Sequence, residues 1–127
     1  MINESVLVVE DNPTNLKLIQ VILTRAGYYV QTAADADEAL SVLKTFRPSI
    51  ILMDLQLPGM DGLELTKLLK KNPVTKDVLI IALTAYAMKG DEEKALKSGC
   101  DGYITKPFDT RSLAKTVSSF LEKVKKD

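Results

Sequence analysis

Histidine is missing from these 127 residues altogether, and cysteine occurs once, at Cys100. Without histidine the chain lacks the commonest zinc ligand and the commonest general base, which excludes serine-histidine and cysteine-histidine catalysis. A lone cysteine excludes an internal disulfide. Net charge is lacking as well: 17 Lys plus Arg balance 17 Asp plus Glu. That balance gives no electrostatic reason to expect nucleic acid or an anionic membrane as partner. No apolar run approaches the about 20 residues of a membrane-spanning helix. Met1, Ile2, Asn3 and Glu4 form neither a basic nor an apolar targeting segment. A soluble, cytoplasmic protein is the expectation. What the sequence does hold is 46% hydrophobic and 27% charged residues, enough to bury a core, and its length suits one domain, 1–127, with no separate effector.

Five apolar segments read as strands: Val6 to Val9, Tyr28 to Ala33, Ile50 to Met53, Leu79 to Leu83 and Gly102 to Thr105. Three of them are continuous aliphatic runs, which mark strands covered on both faces, as in parallel sheets. Helical stripes fall between them. Leu16, Ile19, Leu23 and Ala26 form the first, stopped by Gly27 and opened by Pro13; Ala36, Ala39, Leu40, Leu43 and Phe46 form the second. A shorter third stripe holds Leu65, Leu68 and Leu69. The fourth helix, Asp91 to Lys97, is charged, with only Ala95 and Leu96 to bury, and should be the least firmly docked. A fifth stripe, Leu113, Val117, Phe120, Leu121 and Val124, takes Asp109 or Thr110 as its cap. Repeated β-α alternation with short connections predicts a doubly wound α/β domain with right-handed crossovers.

Ligands of such sheets bind beyond the carboxyl ends of the strands, so the polar residues that follow each apolar run matter most. They are Glu10 and Asp11, then Asp54, Thr84 and Lys106. Converging carboxylates repel, and a divalent cation relieves them; oxygen donors without His or Cys favour a hard ion such as Mg2+. Taken one at a time, each has a blander use: Glu10 and Asp11 as caps of the first helix, Asp54 and Thr84 as turn residues, Lys106 as a solvated cation. The opening Glu10-Asp11-Asn12-Pro13-Thr14 is acidic and glycine-free, unlike loops that cradle nucleotide phosphates.

Together these residues resemble the receiver domain of two-component response regulators. The match runs from Val6-Leu7-Val8-Val9-Glu10-Asp11 through Asp54 and Thr84-Ala85 to Lys106-Pro107, nearly the whole chain. The resemblance implies a flavodoxin-like, five-stranded parallel sheet of order 2-1-3-4-5 with five helices. It implies that Asp54 accepts a phosphoryl group, that Asp11 and Asp54 contact Mg2+ directly and Glu10 through water, and that the Gln56 backbone carbonyl completes the ligands. Thr84 would hydrogen-bond the phosphoryl group and Lys106 would pair with it. Tyr103 stands at the family's aromatic switch position, Gln56 and Tyr86 at positions that tune phosphoryl lifetime, and Lys106-Pro107 at a cis peptide bond. The acidic pair is Glu-Asp where Asp-Asp is also found. The stretch from Thr84 to Glu93 is most similar to single-domain regulators of bacterial cell division and to receivers of hybrid kinases.

The function so implied is a switch, not a metabolic enzyme. It is phosphorylated by a histidine kinase or histidine phosphotransfer protein and signals to a downstream protein through the fourth helix, fifth strand and fifth helix. Two other classes compete. A Mg2+-dependent phosphohydrolase of the haloacid-dehalogenase type wants Asp-x-Asp after the first strand, which Asp11-Asn12-Pro13 lacks. A degenerate receiver acting as a constitutive binding module would not need the full set Asp11, Asp54, Thr84 and Lys106.

Overall fold

A computed structural model describes residues 4–55, 62–84, 89–105 and 111–125. Its elements alternate throughout: β1 (Ser5–Val9), α1 (Pro13–Arg25), β2 (Tyr29–Ala33), α2 (Ala36–Val42), β3 (Ile50–Asp54), α3 (Gly62–Lys71), β4 (Leu79–Thr84), α4 (Lys89–Ser98), β5 (Gly102–Thr105) and α5 (Leu113–Lys125). The strands form one parallel sheet in the order β2-β1-β3-β4-β5. Each expected strand is present, within a residue at either end.

Side-chain alternation along the strands divides the apolar residues between two cores. Leu7, Val9, Ile51, Met53, Ile80 and Ala82 pack on one face against Ala36, Ala39, Leu65, Leu69 and Ala95 of α2, α3 and α4. Val6, Val8, Ile50, Leu52, Ile81 and Leu83 pack on the other against Ile19 and Leu23 of α1 and Leu113, Val117 and Leu121 of α5. Residues of β1 and β3 are buried on both faces, which is why those strands read as unbroken aliphatic runs. Burying each such Leu or Ile contributes about 1.5–3 kcal/mol relative to leaving it in water.

Local signals fix the helix ends. The Asn12 side chain accepts from the Thr14 and Asn15 amides at 2.9 and 3.1 Å, and Pro13 follows in the first turn, where its missing N–H costs nothing. Gly27, at φ 100°, takes the left-handed conformation past the end of α1 and lets the Tyr28 N–H return to the Leu23 carbonyl. At the opposite end of the sheet from the candidate site, Lys70 Nζ meets Asp101 at 2.9 Å and the Val78 carbonyl at 3.0 Å, tying α3 to the start of β4.

Two expectations change. Leu68 and Leu96 are 46% and 51% exposed: α3 turns Leu65 and Leu69 inward, and α4 turns Ala95 inward, so their neighbours face solvent. Helix α2 ends at Val42, leaving Phe46 beyond it, half-buried and 5.7 Å from the Tyr29 ring. At the start of α5 the Thr116 N–H donates to the Ser112 carbonyl at 2.8 Å, and the expected caps Asp109 and Thr110 lie outside the described residues.

Candidate functional site

Register brings the carboxyl ends of β1 and β3 side by side. Val9 pairs with both Ala33 and Met53, and Asp54 pairs with Leu83 on β4. Past that line the backbone is held by a Glu10 N–H to Ala33 carbonyl bond of 3.0 Å and a Leu55 N–H to Leu83 carbonyl bond of 3.2 Å. The residues following β1 and closing β3 therefore stand on one edge of the sheet.

Glu10, Asp11 and Asp54 meet there, each offering one carboxylate oxygen, with these oxygens within 4.8 Å of one another. Glu10 is wholly buried and Asp54 is 4% exposed, whereas Asp11 faces solvent. Like charges this close repel, and the repulsion is relieved by a shared cation. Three oxygen donors, two of them buried and one open to water, suit a hard ion that keeps part of its hydration shell, as Mg2+ does. The residues present fit such an ion.

The blander use of Glu10 and Asp11 as helix caps is not what the structure shows. Asn12 caps α1, so neither carboxylate is taken up by the first N–H groups of the helix. Glu10 instead accepts from the Asn15 side-chain amide at 3.3 Å, and the Asn12 N–H reaches its other oxygen at 3.5 Å. Sequence reading passed over both asparagines. The signal for Asn12 was Asn followed directly by Pro, a cap and a first helical position; Asn15 stands three residues on, where a capping-box partner would sit.

Thr84 closes β4, its backbone in register with Thr105 of β5. Tyr103, on β5, is 36% exposed. Gln56, Tyr86, Lys106 and Pro107 lie outside the described residues. Another glycine that sequence reading missed supports the acidic edge from behind. A Cβ on Gly62 would lie 2.5 Å from the Asp54 carbonyl oxygen and 2.7 Å from Leu55 Cα, so α3 begins in direct contact with the end of β3.

A parallel sheet of this order with three carboxylates at its carboxyl edge is the arrangement of a receiver. Residues 6–118 match the response regulator receiver domain, and the chain belongs to that family. It is 42% identical over 118 residues to the polar-differentiation response regulator DivK of Brucella anthropi, covering 93% of this chain and 96% of that one. A putative response regulator from Chloroflexus aurantiacus superposes with a TM-score of 0.89 at 31% identity, covering 95% of this chain and 99% of that one. The receiver domain of a sensor histidine kinase from Pseudomonas aeruginosa, with a magnesium ion coordinated in its active-site cleft, gives 0.86 at 36% identity, with coverage of 95% and 99%. Among the described residues no helix is long and apolar enough to cross a membrane.

Proposed function

We propose that this receiver is a phosphorylation-controlled binding switch in which Asp54 takes a phosphoryl group from a histidine of a partner kinase or phosphotransfer protein. The observation that carries the reading is the convergence of Glu10, Asp11 and Asp54 at the strand ends. A carboxylate oxygen of Asp54 attacks phosphorus in line, the P–N bond breaks, and the leaving imidazole keeps the bonding pair. Asp11 and Asp54 would hold Mg2+ directly, with the Gln56 carbonyl as a further ligand and Glu10 acting through water, as the family resemblance implies. Mg2+, when bound, offsets charge on the incoming phosphoryl oxygens. Lys106 pairs with the same oxygens and Thr84 hydrogen-bonds them.

By the family resemblance, Gln56 and Tyr86 set the lifetime of the acyl phosphate. Tyr103 turns inward as Thr84 moves toward the phosphoryl group, which alters the surface of α4, β5 and α5 presented to a downstream protein. The groove on α1 lined by Pro13, Thr14, Lys17, Leu18 and Val21 starts two residues beyond Asp11 and offers apolar surface to the phosphoryl donor. In this reading residues 1–127 act as one cytoplasmic signalling domain.

Acetyl phosphate with Mg2+, followed by intact mass measurement, tests the proposal. The wild type should gain one phosphoryl group, while Asp54→Asn, or the wild type in EDTA, should gain none. Phosphorylation of Asp54→Asn at the wild-type rate would overturn it.

A further inference from the structure

Glu10 is wholly buried at the acidic edge, and the start of α1 supplies donors to its carboxylate. In an ordinary capping box the side chain three residues after the cap is a Glu or Gln that accepts from the cap residue's N–H. Here that position is Asn15, and the roles are redistributed. The Asn12 N–H points at Glu10 Oε2 at 3.5 Å, and Asn15 Nδ2 donates to Glu10 Oε1 at 3.3 Å. The Asn15 backbone N–H is meanwhile taken by Asn12 Oδ1 at 3.1 Å.

Both oxygens of one carboxylate thus receive a donor from the start of α1, and one of them lies within 4.8 Å of carboxylate oxygens of Asp11 and Asp54. A Glu at position 15 would fill the usual box but set a fourth carboxylate before Glu10. A side-chain amide supplies a donor there without adding charge.

We propose that Asn15 is a positioning residue for the cation site: by holding the Glu10 carboxylate it sets how tightly the acidic edge binds Mg2+. The inference rests on the reading of that edge as a Mg2+ site. Groups that orient ligands commonly change metal affinity by about 10–100-fold when removed.

The test is calorimetric titration of Mg2+, without any phosphoryl donor, into the wild type, Asn15→Leu, Glu10→Ala and the double variant. Asn15→Leu should weaken Mg2+ binding about tenfold. Because Asn15 acts through the Glu10 carboxylate, which Glu10→Ala removes altogether, the same change in the Glu10→Ala background should alter the Kd by no more than about twofold. Thermal melting in EDTA checks folding, and Asn15→Ser, whose hydroxyl is too short to reach Glu10, replaces the Leu variant if that one does not fold. An unchanged Kd in Asn15→Leu, or an equal loss in both backgrounds, overturns the proposal while leaving the Mg2+ site standing. A wild type that binds no Mg2+ overturns both.

Discussion

Cys100 lies just beyond α4, 5% exposed, with its sulfur 3.8 Å from the Thr66 hydroxyl. Burial pushes its thiol above the ordinary value of 9.0, Thr66 pulls it back, Asp101 adds to the rise and Lys70 opposes it. A raised value in the folded state means that the protonated thiol is favoured by folding. That contribution is complete below the unfolded value and is lost as pH rises through the folded one. The stability difference between wild type and Cys100→Ala should therefore be constant from pH 6 to 8 and shrink above pH 9, as read by urea unfolding across that range. A constant difference up to pH 10.5 would show that the thiol titrates alike in both states. The same scale sets what could be read in the sequence of the site. Glu10, Asp11 and Asp54 were legible because each follows or ends an aliphatic run, and the strand period fixes where such a residue emerges. Asn15 was not legible, since its role is a contact back across the helix start and depends on which way Glu10 lies.

Elements show a similar division. Strands β1 and β3 were legible almost to the residue because burial on both faces leaves no polar interruption, and α1 was legible because Pro13 and Gly27 mark its ends. Helices α3 and α4 were less so: a leucine beside the buried stripe looks the same in sequence as one within it, and only docking on the sheet separates Leu69 from Leu68 or Ala95 from Leu96. Gly62 was hidden for another reason, because its value lies in an absent atom. In an open helix Gly→Ala gains up to about 1 kcal/mol. At residue 62 the new methyl would meet the Asp54 carbonyl at 2.5 Å, against backbone that cannot turn aside as a side chain would. Gly62→Ala should lower Tm by several degrees, and by displacing Asp54 it should slow phosphorylation from acetyl phosphate about 10–100-fold. A higher Tm with an unchanged rate would mean that α3 slides away from β3 at no cost.

At the scale of the molecule, the two cores do not hold every helix equally. Helix α1 anchors through Ile19 and Leu23, and α5 through Leu113, Val117 and Leu121, whereas the side chains of α4 that are described bury only Ala95 and Ser98. An alanine removes far less apolar surface from water than a leucine, so the described side chains of α4 hold it on the sheet by less apolar burial. Weakly docked elements open at lower free energy and are the ones available for switching. Amide exchange of α4 in the unphosphorylated protein should accordingly outpace that of α1 and of strands β1 and β3. In the proposed switch, coupling to Asp54 runs through Thr84, the last residue of β4, and through Tyr103 on the neighbouring strand β5. A phosphoryl group brings charge and acceptor oxygens, which on the proposed function Thr84 and Lys106 would meet. To take the active form from about 1:99 to 99:1, phosphorylation must favour it by about 5.5 kcal/mol; a smaller bias gives a graded response. Acetyl phosphate and Mg2+ should thus change exchange in α4 and β5 as well as at the ends of β1 and β3. Changes confined to those strand ends, with α4 and β5 silent, would mean that the phosphoryl group is sensed only where it binds, and the output surface would have to be sought on α1 instead.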